Sequence, residues 1–137
     1  MLFNRSTEAA ITAMSRLAEV YDQCDTTLNA AQIAEDRKLK KPFVAKLLTV
    51  LSAHGLVKGF PGRVGGYCLG KPPQEITLAE IADCFERKYD PDACPLGLDT
   101  CSVESGPTCP VHDKLGNIKR DLHRFLQDTT LASFVKG

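Results

Sequence analysis

A change of hydrophobic period at Gly55 constrains this chain more than any other feature. Upstream, Phe43, Val44, Leu47, Leu48 and Leu51 recur at three- and four-residue spacing, which marks one buried helical face. Downstream, Leu56-Val57-Lys58 and Gly66-Tyr67-Cys68-Leu69 are short strand-like runs around a turn-rich tip at residues 60–65. Glycine at the junction suits the left-handed residue that closes a helix. Pro42 fits the first position of that helix, where a missing N–H costs little. In front of it, Asn29-Ala30-Ala31-Gln32 reads as a capping box opening a short helix that carries Ile33 and Ala34 inward. Arg37-Lys38-Leu39-Lys40-Lys41 is then the joint between two helices. Two helices, a tight joint and a glycine-rich hairpin follow the plan of a winged helix-turn-helix.

The flanks read as helical. Over residues 6–22, Ala10, Ala13, Met14, Leu17, Val20 and Tyr21 form one apolar face, with Ser6 as N-cap. After the stiff Lys71-Pro72-Pro73 linker, Thr77 and Glu80 make a second capping box, with Ile76 against Ile81 as its staple. That helix is expected to run to about Arg87, with Leu78, Ile81, Ala82 and Phe85 inward. Residues 110–128 carry Val111, Leu115, Ile118, Leu122 and Phe125 at four-three-four-three spacing. That is a narrow heptad seam, which on so small a chain suggests a partner helix from a second copy. The expected fold is mainly α with a small β-hairpin. A winged helix-turn-helix DNA-binding domain covers 1–87 (wing about 56–69). A cysteine-containing sensor loop covers 88–109, and a long C-terminal dimerisation helix and tail cover 110–137.

The 137 residues carry no net charge, yet residues 29–70 hold seven basic side chains against two acidic ones. A basic segment inside a neutral chain points to a localised anion-binding surface. Lysine-rich turns are common on ordinary solvated faces; it is their coincidence with the wing that points to double-stranded DNA. The candidates are Lys38, Lys40, Lys41 and Lys46 around the joint and second helix, Thr49 opposite the apolar stripe, and Arg63 at the hairpin tip. Met1-Leu2-Phe3-Asn4-Arg5 lacks the charged-then-apolar order of a secretory signal, and no apolar run approaches the ~18 residues of a membrane helix. A cytoplasmic protein is expected.

Six cysteines are many for such a chain, and metal or redox chemistry is a stronger reading than a disulfide framework. Cys94, Cys101, Cys109 and His112 follow a C-x6-C-x7-C-x2-H pattern in the proline- and glycine-containing loop and the helix start after it. Three thiolates and an imidazole suit zinc or an iron–sulfur cluster. No tight C-x2-C pair of the zinc-knuckle kind occurs, and the longer spacings suit a larger cluster. Among the other cysteines, Cys24 reads as a plain thiol at a helix end, Cys68 as structural in a strand and Cys84 as packed beside the loop, with a role as a further ligand as its alternative. His54 reads as a helix cap, His123 as a surface residue and Glu8 as a first-turn residue favouring the helix dipole.

These pieces, in this order, resemble the Rrf-two family of bacterial winged-helix transcription regulators. The resemblance spans almost the whole chain. It rests on Ile33-Ala34-Glu35, His54-Gly55-Leu56-Val57, Gly65-Gly66-Tyr67-Cys68-Leu69, Pro72-Pro73, Ile76-Thr77-Leu78 and Thr129-Thr130-Leu131-Ala132. It implies a homodimer clasped by the long helix through Leu115, Ile118, Leu122 and Phe125, bound to a palindromic operator as a repressor. It also implies a [2Fe–2S] or [4Fe–4S] cluster that senses redox state, nitric oxide or iron–sulfur status. Cys94, Cys101 and Cys109 match the family's cluster ligands. His112 matches a fourth ligand of some members, and Glu8 stands where others supply an acidic ligand from the partner's first helix. Two departures stand out: the cysteine spacings are longer than the family's, and the wing reads Pro61-Gly62 with Arg63 two positions on. Two alternatives stay open. One is the same DNA-binding scaffold with a thiol–disulfide or Cys3His zinc switch; the other is a cluster-carrying redox protein.

Overall fold

The computed structural model describes residues 3–63, 65–86 and 112–135, residue 112 by its backbone alone. In chain order these are α1 (Arg5–Glu19), α2 (Ala30–Arg37), α3 (Lys41–Ala53), β1 (Val57–Phe60), β2 (Gly66–Leu69), a 3-10 turn (Pro73–Glu75), α4 (Leu78–Asp83), α5 (His112–Asp128) and a second 3-10 turn (Leu131–Phe134). The mainly helical fold with one hairpin is as expected. α1, α2 and α3 pack around Met14, Leu17, Ile33, Leu48 and Leu51, all fully buried. Burying each such side chain contributes roughly 1.5–3 kcal/mol. Strands β1 and β2 pair antiparallel, Val57 with Leu69 and Phe60 with Gly66. The apolar end of the hairpin, Val57 and Leu69, sits in the core, while Lys58, Gly59 and Phe60 are exposed.

Local chemistry accounts for most boundaries. Asn29 and Gln32 form the full reciprocal capping box, both bonds at 2.8 Å. Gly55 takes φ 76°, the left-handed closure of α3 that a side chain would strain. Gly66 is needed for a different reason: a Cβ there would stand 2.8 Å from the Leu28 carbonyl carbon. That close approach carries two backbone bonds, Tyr67 N–H to Leu28 O at 2.7 Å and Leu28 N–H to Tyr67 O at 3.0 Å. The hairpin is thereby tied to the segment that enters α2.

Four boundaries differ from the sequence expectation. Helix α1 ends at Glu19 rather than near residue 22, with Val20 as its C-cap. Asn4, not Ser6, caps α1, its side chain accepting from Thr7 N–H at 2.8 Å. A tertiary contact decides it: Asn4 also donates to Phe85 O and to the Glu86 carboxylate. Helix α3 begins at Lys41, so Pro42 occupies its second position, where the lack of an N–H is equally harmless. Helix α4 stops at Asp83 rather than Arg87: its end tightens into i→i−3 bonds, Cys84 N–H to Ile81 O and Phe85 N–H to Ala82 O, and Glu86 is held by Asn4. Its Thr77 cap accepts from Glu80 N–H, but the Glu80 carboxylate pairs with Lys71 at 2.8 Å instead of completing the box.

The C-terminal segment joins the same core. Leu78 N–H bonds to Thr129 O and Leu131 N–H to Ile76 O, and Leu131 is completely buried. Helix α5 buries Leu126 and partly buries Leu115 and Leu122, but leaves Ile118 56 % and Phe125 51 % exposed.

Candidate nucleic-acid interface

The joint between α2 and α3 is three residues long. Lys38 takes φ 55° and closes α2, and Leu39 N–H returns to Ala34 O at 2.8 Å. Lys40 then precedes α3 without offering a side-chain cap, so the first-turn amides of α3 stay available to an outside acceptor. Lys38, Lys40, Lys41, Lys46 and Thr49 are all exposed, as the sequence reading requires, and so is Arg63 at the hairpin tip. Thr49 Oγ1 donates to Ala45 O at 2.9 Å, which fixes its rotamer on the outer face of α3.

The distribution of ion pairs sharpens this surface. Arg16 pairs with Asp36 at 2.8 Å, and Arg37 pairs with Glu19 while also reaching Ser15 and the Thr12 carbonyl. These cations lock α2 to α1 and are neutralised there. The cations of the joint, of α3 and of the hairpin pair with no acidic side chain among the described residues. Their field is left for a polyanion. Two further cations belong to the same area. Lys58 is exposed on β1. Arg5 lies over the Phe43 ring at 5.6 Å, beside the start of α3. Arg5 had no sequence signal, since only the packing of α1 on α3 brings it there. Lys58 was one of the seven basic residues of the segment and could have been included.

Of the proposed cluster ligands, Cys94, Cys101 and Cys109 and the side chain of His112 lie outside the described residues. Glu8 is exposed on α1 and shares a groove with Arg5, Leu39 and Phe43 at the foot of α3. His54 caps α3 as read, its Nδ1 2.9 Å from Val50 O. Cys84 is half-buried; burial, then the charges of Asp83 and Glu80, push its thiol pKa up, which suits neither ligation nor nucleophilic attack. The reading of Cys24 as a plain thiol is corrected. Cys24 and Cys68, 44 residues apart, form a disulfide with Cα atoms 5.4 Å apart. Cys24 ends the turn after α1, where it and Gln23 both take positive φ, and that turn delivers it to β2.

A winged helix-turn-helix with a basic surface left unpaired among the described residues defines a class, the DNA-binding transcriptional regulators. Residues 3–137 match the Rrf2 family, described as iron-dependent transcriptional regulators, and the chain belongs to that family. An Aquifex aeolicus protein that carries the name of an HTH-type transcriptional regulator is 30 % identical over 98 % of this chain and 92 % of its own length. The HTH-type transcriptional regulator IscR of Serratia proteamaculans is 29 % identical over 93 % of this chain and 75 % of its own. Among solved structures, CymR, the global cysteine regulator of B. subtilis, superposes with a TM-score of 0.77 at 24 % identity, covering 99 % of each chain. These relatives are regulators, not enzymes, and no described helix is long and apolar enough to cross a membrane.

Proposed function

We propose that the protein is a cytoplasmic homodimeric repressor that binds a palindromic operator through α3 and the hairpin. On this reading, a group held by Cys94, Cys101 and Cys109 controls its affinity for DNA. The observation that carries the DNA reading is the set of cations on the joint, α3 and the wing that pair with no acid among the described residues, beside arginines of α1 and α2 that are paired. Lys38, Lys40 and Lys41 meet phosphates with the free amides of α3; Lys46 and Thr49 face the major groove; Arg63 takes the backbone or minor groove at the wing tip. The exposed Ile118 and Phe125, with the half-buried Leu115 and Leu122 on the same seam, support pairing with a second copy. In this account the chain divides functionally into residues 1–87, 88–109 and 110–137.

Three thiolates with His112, or with Glu8 from the partner, are a donor set that fits a [2Fe–2S] or [4Fe–4S] cluster, with zinc as the alternative. Such a cluster supplies reversible electron transfer and reactivity toward nitric oxide or oxidants. The chain's own part is mechanical. A group held by Cys94, Cys101 and Cys109 would link their segment to His112 at the start of α5 or to the partner's first helix, and Glu8 shares a groove with Leu39 and Phe43. Gain or loss of the group would shift the reading helices of the two copies relative to each other. Half-sites one helical turn apart require about 34 Å between them, so a few ångströms change affinity.

Selection from a random-sequence duplex pool tests the DNA reading. Enrichment of an inverted repeat with half-sites about one turn apart is expected. Retention of the pool without enrichment, at a salt where the protein stays folded, would overturn it.

A further inference from the structure

The disulfide between Cys24 and Cys68 is separate from the loop cysteines, and its position in the fold is specific. It links the segment before α2 to the second strand of the hairpin. The ring it closes contains α2, α3, β1 and the hairpin tip, and so every candidate DNA contact from Lys38 to Arg63. Backbone contacts join the same two segments beside the bond. Leu28 and Tyr67 exchange two hydrogen bonds beside it. Asp22 folds the turn on itself, accepting from Thr26 N–H at 2.7 Å and from Thr26 Oγ1 at 2.6 Å. The site also has a resting place for the reduced form: Cys24 Sγ lies 3.4 Å from the Leu69 carbonyl oxygen, an acceptor for a thiol there. The two sulfurs differ in access. Cys24 is half-buried, whereas Cys68 is 3 % exposed.

We propose that Cys24 and Cys68 are a reversible dithiol–disulfide site that sets how firmly the wing is held to the recognition helices, independently of the loop cysteines. The oxidant class is a soluble low-molecular-weight disulfide. The Cys24 thiolate, the more accessible, attacks one of its sulfurs, forms a mixed disulfide and releases one thiolate, which takes up a proton. The Cys68 thiolate then attacks Cys24 Sγ, the Cys24–Cys68 bond forms and the second small thiol leaves. The protein gives up two electrons and two protons; the soluble disulfide becomes two thiols. In the oxidised form the wing root is covalently fixed, so less order is lost when the wing meets DNA, and tighter binding by about three- to tenfold follows.

The regulatory half of this proposal rests on the DNA-binding reading; the chemical half does not. The test equilibrates the whole protein, without oxygen, in glutathione buffers from fully reduced to fully oxidised, then alkylates and maps peptides. A linked Cys24–Cys68 peptide that appears and disappears reversibly across the series is expected. Cysteines 24 and 68 that stay alkylatable throughout, or that join the loop cysteines instead, would overturn the site. The same samples are titrated against a labelled duplex carrying the selected motif, with Cys24→Ser and Cys68→Ala beside the native chain. Native protein is expected to bind more weakly when reduced, and both variants to match the reduced form in every buffer. A linked pair with equal affinity in all buffers would overturn the regulatory role. Failure of every sample to bind would refute the DNA reading and leave the peptide result standing.

Discussion

Replacing Lys40 with Ala tests the reading surface at its centre. Lys40 precedes α3, is exposed, has no acidic partner among the described residues and makes no side-chain cap. Its removal therefore costs the fold little, in contrast to loss of a capping side chain, which costs about 1 kcal/mol. A dimer that neutralises on the order of eight phosphates has a salt slope, log K against log salt, of about −7. Each lost phosphate contact makes it shallower by about 0.9, and the dimer loses two, so Lys40→Ala is expected to bring the slope to about −5. Fluorescence anisotropy with the selected duplex across a series of salt concentrations measures it. Arg16→Ala is the control: Arg16 already pairs with Asp36 at 2.8 Å, and its loss should leave the slope in place. An unchanged slope for Lys40→Ala, in protein with a native thermal transition, would refute the assignment of Lys40 to a phosphate.

Three further outcomes follow from named contacts. Phe125→Glu places a charge on the exposed seam of α5, and sedimentation is expected to show monomers where the native chain is dimeric; a dimer of native affinity would remove α5 from the interface. Leu131→Ala empties a completely buried site shared by the C-terminal turn and α1 and should lower unfolding stability by roughly 3–5 kcal/mol in urea; a loss under about 1 kcal/mol would mean that the turn does not dock. The Asp22 carboxyl is held below its usual range first by the Thr26 hydroxyl and then by the Thr26 amide. A carboxylate depressed in the fold stabilises it above its ordinary pKa of about 3.9, and that stability fades as pH falls through the lower folded value. Proton titration by NMR should place Asp22 below about 3.9 and find it raised in Thr26→Val; coincident midpoints would contradict the closed turn.

What the sequence disclosed was local chemistry. The capping box at Asn29 and Gln32, the closing Gly55, the hairpin and the exposed cations each depend on neighbours a few residues away, so spacing alone reveals them. The misjudged boundaries were settled at a distance. Asn4 and Ser6 are both good caps, and the contact of Asn4 with Phe85 and Glu86 chose between them, shortening α4 at the same time. Cys24 carries no local mark of its partner. It joins Cys68 across 44 residues because Leu28 and Tyr67 pair and because Gln23 and Cys24 take a left-handed turn without glycine to announce it. The ion pairs that separate spent cations from free ones are likewise tertiary, since Arg16 and Arg37 look as available in the sequence as Lys38 does. The ligands Cys94, Cys101, Cys109 and His112 stay a proposal from spacing and resemblance.

The central claim, that the group held by the loop cysteines governs DNA binding, is met most directly by one measurement. Protein purified without oxygen, with iron and acid-labile sulfide counted per chain, is titrated against the selected duplex beside Cys101→Ala under reducing conditions that keep Cys24 and Cys68 apart. The expected result is iron and sulfide in the native protein, neither in the variant, and a clear difference in affinity between them. Equal affinities in the presence of a bound cluster, or native protein that takes up neither iron and sulfide nor zinc, would contradict it.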